Sequence, residues 1–334
     1  MTPADRRPVR RALVLRALGL GDLLTAVPAL RAIRRAFAGA EVTLACPRVL
    51  QPLVELTESV DRLVDVPGLG ALGQPDPTPD LVVNLHGRGP ESIRDLMGTG
   101  AAEVWSHRHP EFPRLDGPTW RADEHEVQRW CRLLEHYGVL ADPAELTIAR
   151  PARASPAAGA VVVHPGAKDP ARRWPVDRFA TVARALADRG YRVVLTGSTA
   201  ERPLAGQLAE LAGLGPEAVL AGKLDLAQLA ALVADARLVV CGDTGVAHLA
   251  SAYATPSVLL FGPTPPSLWG PPESGPHVVL WSGRAGDPHA RTPDTGLLEL
   301  SPTDVLSALP TDSELAPPSQ PKSPTTQPAR SAHG

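Results

Sequence analysis

The chain is poor in cysteine, and its few cysteines lie far apart. Among 334 residues there are three, with no CxxC pair and no spacing that suits a metal site: Cys46, Cys131 and Cys241. An odd, scattered set of this kind excludes the disulfide framework of a small secreted domain. The pattern instead predicts buried thiols in a reducing compartment.

Long apolar runs and a strong excess of one charge are missing as well. No apolar segment reaches the ~18 residues of a membrane span. The basic start of the chain is followed by an apolar stretch that Arg16 and Asp22 interrupt, which is not the pattern of a signal peptide. A net charge of −3 gives no general reason to bind nucleic acid. Because 43% of the residues are apolar and 21% are charged, we expect a globular, cytoplasmic protein.

The sequence does contain a regular alternation of short β-like runs and helical runs. The run LVVNL at 81–85 is apolar on both faces, as in a strand that helices cover on each side. A helix is predicted over about 22–37, where apolar residues recur at helical spacing, and Pro28 should bend it. Strands and helices joined by such short connections form parallel sheets.

A segment of proline and small residues, PARASPAAG at 151–159, divides two halves that show the same alternation. We predict an α/β protein with two Rossmann-like domains, at 1–150 and 160–310, whose parallel sheets face each other across a cleft. The last residues, 311–334, are rich in proline, serine and threonine and are predicted to be disordered. Ligands of open parallel sheets bind beyond the carboxyl ends of the strands, so the loops there should line the cleft.

The first of these loops reads LGLGDLLT, residues 18–25, between a predicted strand and a predicted helix. It lacks the third glycine of a dinucleotide-binding fingerprint, because Leu24 occupies that position. The residue after the second glycine, Asp22, would repel a phosphate. A carboxylate there suits a general base that accepts a proton from a hydroxyl, although aspartate is also a common N-cap of a helix.

A second motif, GDTGVAH at 242–248, follows the predicted buried strand RLVVC. Asp243 is predicted to cap the helix that begins at Thr244, and Gly245 leaves the amides of the first turn open to an anion. His248 lies one turn further on, so its side chain should point toward the same opening. An ordinary capped helix with a surface histidine is the alternative.

A third motif, HPGAKDPARRWP at 164–175, places three cations in a loop at the carboxyl edge of the second sheet. They are Lys168, Arg172 and Arg173. Such a loop suits a diphosphate, since each guanidinium can bind two oxygens at once. A basic surface loop without a ligand is the alternative.

Together, these three motifs resemble glycosyltransferase family 9, the ADP-heptose–lipopolysaccharide heptosyltransferase family, in their order and spacing. The similarity runs from about residue 10 to about residue 270. It implies a GT-B fold, in which the first domain binds the acceptor and the second binds a nucleotide sugar. It also implies a reaction in the cleft, with no metal and no cofactor.

The resemblance assigns roles to single residues. Asp22 matches the catalytic aspartate of the family, and Arg172 matches its phosphate-facing cation, which is often lysine. The DTG-x-x-H motif of the donor site is present at Asp243, Thr244, Gly245 and His248.

Two further positions align with the family less directly. Glu201, in GSTAER at 197–202, corresponds to a ribose-binding acid. Where family members often have serine before the Gly-Asp pair, this chain has Leu20, which cannot donate a hydrogen bond.

Residues and resemblance together predict an inverting, metal-independent glycosyltransferase. Asp22 would accept the proton of the acceptor hydroxyl, while Arg172, assisted by Lys168 or Arg173, would meet the charge of the leaving diphosphate. The sugar would be a heptose or a similar unit carried by a nucleoside diphosphate, such as ADP-heptose. The acceptor would be a saccharide or a lipid-linked molecule of cell-envelope polysaccharide synthesis.

For the acceptor we single out His86 and Arg88, which follow a predicted buried strand of the first domain. A capped turn with solvated side chains is the alternative. Arg31 and Arg35 form a cationic face together with four arginines near the start of the chain, Arg6, Arg7, Arg10 and Arg11. This face could rest on the inner face of the plasma membrane or bind a phosphorylated acceptor, although a solvated face is the simpler interpretation. Three tryptophans could stack on sugar rings, with Trp130 expected in the core instead: Trp105, Trp120 and Trp130.

Two other functions stay open at this point. A non-catalytic module of GT-B fold would bind a nucleotide sugar without releasing the sugar, and the departures from the family at Leu20 and Arg172 favour it. A nicotinamide-dependent oxidoreductase would use the first glycine loop, but the missing third glycine counts against it.

Overall fold

The structure, a computed structural model, describes residues 8–311. Within that range ten strands form two separate five-stranded sheets, and every strand pair in them is parallel. The first sheet holds β1 (Arg11–Leu15), β2 (Glu41–Cys46), β3 (Arg62–Asp65), β4 (Leu81–Asn84) and β5 (Glu103–Trp105). The second holds β6 (Val161–His164), β7 (Val193–Leu195), β8 (Leu238–Gly242), β9 (Ser257–Leu260) and β10 (His277–Leu280).

Helices connect the strands of each sheet. In the first half they are α1 (Leu20–Thr25), α2 (Val27–Ala36), α3 (Gln51–Leu56), α4 (Glu91–Gly98) and α5 (Glu126–His136). In the second half they are α6 (Val176–Asp188), α7 (Arg202–Ala212), α8 (Leu226–Ala234), α9 (Gly245–Tyr253), α10 (Pro266–Trp269), α11 (Thr295–Glu299) and α12 (Pro302–Ser307). The predicted α/β class with two parallel sheets is thus confirmed.

The strand orders locate the places where ligands bind in such sheets. The first sheet runs β3-β2-β1-β4-β5 and the second runs β10-β9-β8-β6-β7. The direction of strand addition therefore reverses between β1 and β4, and again between β6 and β8. A crevice opens beyond the carboxyl ends of the strands at such a reversal.

The predicted helix over 22–37 is wrong in one respect, because the structure has two helices there. The first begins two residues earlier, at Leu20, and Ala26 separates it from the second. Pro28 lies in the first turn of α2, where its missing N–H costs no hydrogen bond. Proline therefore starts a second helix here instead of bending a single one.

Two further differences concern strands. The apolar run AVLAG at 218–222 predicts a strand, but the structure has only an isolated bridge there, between Leu195 and Val219. The edge strand β10 was not anticipated, since it has only four residues, none of them fully buried, and proline- and glycine-rich segments flank it.

One hydrophobic core extends through both halves of the molecule. It contains residues of α1, α2 and α5 from the first half together with residues of α8 and α9 from the second, among them Leu30, Trp130, Leu232 and Leu249. Polar contacts reinforce it, such as the ion pair between Arg150 and Asp235 at 2.7 Å. The chain crosses between the two sheets at 151–159, and the domain boundaries there stay a prediction.

The three cysteines are buried and free, as expected. Burial raises the pKa of each thiol to about 12, so none is a thiolate near neutral pH. In residues 8–311 we find no helix with the length and apolarity that a membrane crossing requires. All but the first residue of the tail predicted at 311–334 lies outside the described residues.

Leu249→Ala tests the core shared by the two halves. Leu249 is completely buried, so the substitution should lower the free energy of unfolding by about 2–5 kcal/mol through the cavity it leaves. The same change at the exposed Leu211 should alter that free energy by less than about 0.5 kcal/mol. Urea unfolding measures both, and equal midpoints for the two variants would contradict a tightly packed shared core.

Candidate functional site

The reversal points of the two sheets face each other. The helices that follow them, α1 and α9, are in contact at their first turns. Leu20 packs on Gly245, where an added Cβ would overlap the leucine side chain. In the reverse direction, a Cβ on Gly21 would lie 2.7 Å from Cδ2 of His248. Glycine at both positions therefore permits this close approach.

Asp22 lies at this junction on the side of the first sheet. It is the third residue of α1, and Gly19 is the N-cap, so the alternative that Asp22 caps the helix is wrong. Its Oδ2 instead accepts a hydrogen bond from the Gly19 amide at 3.2 Å, as the acidic residue of a capping box does. The side chain keeps 28% of its surface exposed, so a hydroxyl can approach it.

Arg16 is buried beside Asp22 and contacts its carboxylate. Arg16 was not identified from the sequence as part of the site. Its Nη2 lies 3.5 Å from Oδ1 of Asp22 and 3.0 Å from Oε1 of Glu126. Only 1% of the side chain is exposed. A charged residue directly after a buried apolar strand was the available signal, because an arginine is rarely buried without a specific partner.

Arg172 faces the junction from the second sheet. Its Nη2 donates to Asp169 Oδ2 at 2.9 Å, and its Nη1 lies 3.7 Å from Oδ2 of Asp243. Burial raises the pKa of Asp243, Arg172 opposes that rise, and the negative charge of Asp22 adds to it. The charge of Asp22 therefore acts on Asp243 across the junction.

The prediction that Asp243 caps α9 is wrong. The N-cap is Thr244, whose side chain makes no capping hydrogen bond. Asp243 is buried, and its carboxylate forms an ion pair with the Arg172 guanidinium instead of accepting hydrogen bonds from the first-turn amides. Gly245 follows as the first residue of the helix.

The remaining predicted donor residues lie around the same crevice. Lys168 is exposed, whereas Arg173 donates from Nε to the Ala167 carbonyl at 2.9 Å and braces its own loop. Glu201 lies against Gly166, where an added Cβ would overlap its carboxylate. Burial acts to raise the pKa of Glu201, but the Ser198 amide and the nearby His164 hold it below its ordinary value.

His248 lies between the two halves, with its ring against Gly21 and 5.9 Å from that of Trp269. Burial, aided by nearby His125, lowers the pKa of His248 to about 4. The histidine is therefore neutral near neutral pH. The structure thus brings it to the junction with Asp22, Arg172 and Asp243.

The residues predicted to bind the acceptor occupy two different environments. His86 is half-buried beside Asp22, and burial followed by the charge of Arg16 lowers its pKa. Arg88 is exposed and lines a pocket of about 1030 Å³ in the first half of the chain. Other cationic and aromatic residues line the same pocket: Arg108, His109, Phe112, Arg114 and Trp120.

Trp120 connects the lining of this pocket to the buried aromatic residues behind it. Trp120 packs edge-on against His107 and Trp130, with ring centroids 5.0 and 6.2 Å away. Trp130 and Trp105 are buried in the core, so Trp120 is the tryptophan among the three that can meet a ligand in this pocket. His107 is completely buried, and neither ring nitrogen has a hydrogen-bond partner in residues 8–311.

The two arginines of α2 in the predicted cationic face contact other residues of the same chain. Arg31 donates to the Thr147 carbonyl, and Arg35 forms an ion pair with Glu145 at 2.6 Å. Both contacts tie α2 to the segment after α5, which favours a structural role over a membrane surface.

Comparison with known proteins shows the family to which the chain belongs. The sequence profile of glycosyltransferase family 9 (heptosyltransferase) matches residues 114–295, more than half of the chain. The protein belongs to glycosyltransferase family 9. This confirms the resemblance drawn from the three motifs and gives no support to the oxidoreductase alternative.

Relatives within the family agree with this assignment. Lipopolysaccharide heptosyltransferase 2 of Escherichia coli is 35% identical over 156 residues, which cover 43% of this chain and 44% of the relative. The aligned part of this family 9 chain thus spans less than half of that relative's length.

Solved structures resemble the fold over most of its length. A family 9 glycosyltransferase from Veillonella parvula has a TM-score of 0.76 at 22% identity, covering 92% of this chain and 97% of that one. The Escherichia coli ADP-heptose lipopolysaccharide heptosyltransferase II has a TM-score of 0.72 at 22% identity, covering 91% and 98%. The GT-B fold expected from the resemblance is thus confirmed.

The family 9 chain shows no cluster of three or more histidine, cysteine, aspartate or glutamate side chains arranged to hold a metal ion in the part that the structure describes.

His107→Phe is expected to flatten the dependence of stability on pH. Burial, and then the charges of Arg132 and Arg129, lower the pKa of His107 to about 3. An unfolded histidine takes up a proton near pH 6.5 while the folded one does not, so stability falls below that pH. As the pH is lowered from roughly 6 to 4, the free energy of unfolding of the variant should fall by up to about 1.4 kcal/mol less per pH unit than that of the wild type. Urea unfolding across this range measures the difference, and parallel curves for wild type and variant would contradict it.

Proposed function

We propose that this protein transfers a heptose or similar sugar from a nucleoside-diphosphate donor to a saccharide or lipid-linked acceptor. Transfer proceeds with inversion and without a metal. The observation that carries the proposal is the accessible carboxylate of Asp22 on one side of the junction with the Arg172 guanidinium on the other. ADP-heptose is the favoured donor, because the Escherichia coli structure with the same fold is an ADP-heptose enzyme.

The donor diphosphate binds on the side of the second sheet. The Arg172 side chain keeps 22% of its surface exposed, so its guanidinium can meet a phosphate oxygen, and its buried Nε has no hydrogen-bond partner within residues 8–311. Lys168 is exposed at the rim of the same loop. The amides at the start of α9 add partial positive charge beside Thr244 and Gly245. Glu201 lies on the neighbouring loop, where it can accept hydrogen bonds from the ribose.

The chemical step uses the opposite charge of the two sides. Asp22 accepts the proton of the acceptor hydroxyl while the hydroxyl oxygen forms a bond to the anomeric carbon. The bond from that carbon to the diphosphate oxygen breaks on the opposite face, and its electron pair leaves with the diphosphate. Arg172 meets this growing negative charge. Attack opposite the leaving group inverts the configuration of the sugar.

The acceptor occupies the pocket of the first half, whose chemistry indicates acidic groups. Arg88, Arg108 and Arg114 line it, and neither Arg88 nor Arg114 forms an ion pair with any residue in the described range. Such guanidinium groups can bind carboxylates or phosphates through two oxygens. Trp120 offers a ring face or edge to a sugar. We place the reaction in the cytoplasm, at the inner face of the membrane.

A binding module without catalysis is the second candidate. Arg172 already lies between two carboxylates, Asp169 and Asp243, which reduces its net charge toward a phosphate. Leu20 also fills space at the junction. Such a module would bind the donor tightly and release no sugar.

Asp22→Asn separates these two candidates. If Asp22 is the base, the rate of sugar transfer should fall by about 10²–10⁴-fold. Binding of the donor, measured by calorimetry, should change less than about threefold, since Asp22 does not hold the diphosphate. Arg172→Gln is the matched contrast, because it should weaken donor binding as well as transfer. Near-normal turnover of the Asp22→Asn variant would remove Asp22 as the base.

Arg114→Met tests the acidic acceptor. The KM for an acceptor that carries carboxylate or phosphate groups should rise about tenfold, the equivalent of one charge-assisted hydrogen bond. The donor affinity should stay unchanged. Arg189→Met, at an exposed arginine of the second half, is the control and should leave both constants unchanged. An unchanged acceptor KM in the Arg114→Met variant would place the acceptor elsewhere.

A further inference from the structure

Arg16 is a buried arginine with polar contacts to several separate parts of the first half. It follows β1, and its guanidinium reaches three other segments of the first half. Nε donates to the Asp22 carbonyl at 2.9 Å, and Nη2 donates to Thr25 Oγ1 at 3.1 Å. Nη1 donates to the Leu85 carbonyl after β4, and Nη2 also donates to Glu126 at the start of α5.

The glutamate partner is itself held on both oxygens. Oε1 of Glu126 accepts a hydrogen bond from Trp130 Nε1 at 3.1 Å, and Oε2 accepts one from Arg129 Nε at 3.0 Å. The Trp130 ring lies 4.8 Å from the Arg16 guanidinium carbon. The partners of Arg16 are therefore held by hydrogen bonds of their own, and the Arg16 side chain is almost completely buried.

Asp22 is held from two directions by this arrangement. Arg16 contacts both its carbonyl oxygen and its Oδ1, while the Gly19 amide donates to Oδ2. A short side chain bound on both carboxylate oxygens and on its own backbone keeps one rotamer. The exposed part of the carboxylate then faces the junction in a defined direction.

We propose that Arg16 is a positioning residue, which orients the Asp22 carboxylate toward the acceptor hydroxyl through its contacts with Asp22, Glu126 and Leu85. This inference rests on the proposed function, since it acts through the base. Arg16 itself touches no substrate. Its contribution is to the chemical step, because a reacting group displaced by about 1 Å costs on the order of 100-fold in rate.

The test is a double-mutant cycle between Arg16 and Asp22, with kcat, donor affinity and thermal midpoint measured for each variant. Arg16→Met should lower kcat by about 100-fold and change the donor Kd by less than about threefold. Arg16→Lys, which keeps the charge but cannot reach all the partners, should lie between wild type and Arg16→Met. In the Asp22→Asn background, either substitution should cost less than about threefold further, because the group on which Arg16 acts is gone.

Arg35→Met is the matched control. Arg35 also forms an ion pair with a glutamate 110 residues away, as Arg16 does, but it lies on the surface of α2. Its removal should leave kcat unchanged within about twofold. If Arg16→Met does not fold, the cycle is completed with Arg16→Lys.

The outcomes separate the two claims. Losses that add fully in the double variant, or a loss of donor affinity equal to the loss of kcat, would show that Arg16 serves the fold alone and would overturn this inference. Full kcat in Arg16→Lys would overturn it as well. Near-normal turnover of Asp22→Asn would instead overturn the proposed function itself.

Discussion

The structure depends on the contact between the first turns of α1 and α9. Two glycines make it possible, since Gly21 admits the ring of His248 and Gly245 admits the side chain of Leu20. Each helix starts at the point where its own sheet reverses the direction of strand addition. The contact therefore brings together the two crevices in which parallel sheets bind ligands, and everything proposed for the site follows from that.

Charge is distributed unequally over this junction. The first half contributes a carboxylate whose counter-charge, Arg16, is buried beneath it, so the exposed face is negative. The second half contributes a guanidinium between two carboxylates, one of them buried. A displacement that takes a proton on one side and releases a diphosphate on the other needs this polarity. The resemblance places Arg172 at a position where family members often carry lysine. Its planar guanidinium faces both carboxylates, and its buried Nε has no hydrogen-bond partner within residues 8–311.

Packed side chains of the first half link Asp22 to the pocket around Arg88 and Arg114. Arg16 stacks near Trp130, Trp130 packs against Trp120, and Trp120 lines the pocket. The pocket and Asp22 thus share one packed support. Such support is what a catalytic group needs to keep its geometry.

Sequence alone determined the fold class and the motif-bearing loops of this protein, because apolar alternation and glycine turns are local signals. It predicted that Asp22, Arg172 and His248 follow strands or begin helices at one edge of a sheet. Only the tertiary structure decided which side chains meet. Arg16 and Glu126 are 110 residues apart, and Asp243 turns to Arg172 instead of capping its helix, because strand order and helix packing set these distances. The pocket around Arg88 and Arg114 was hidden for the same reason, since its walls come from loops without any periodic pattern.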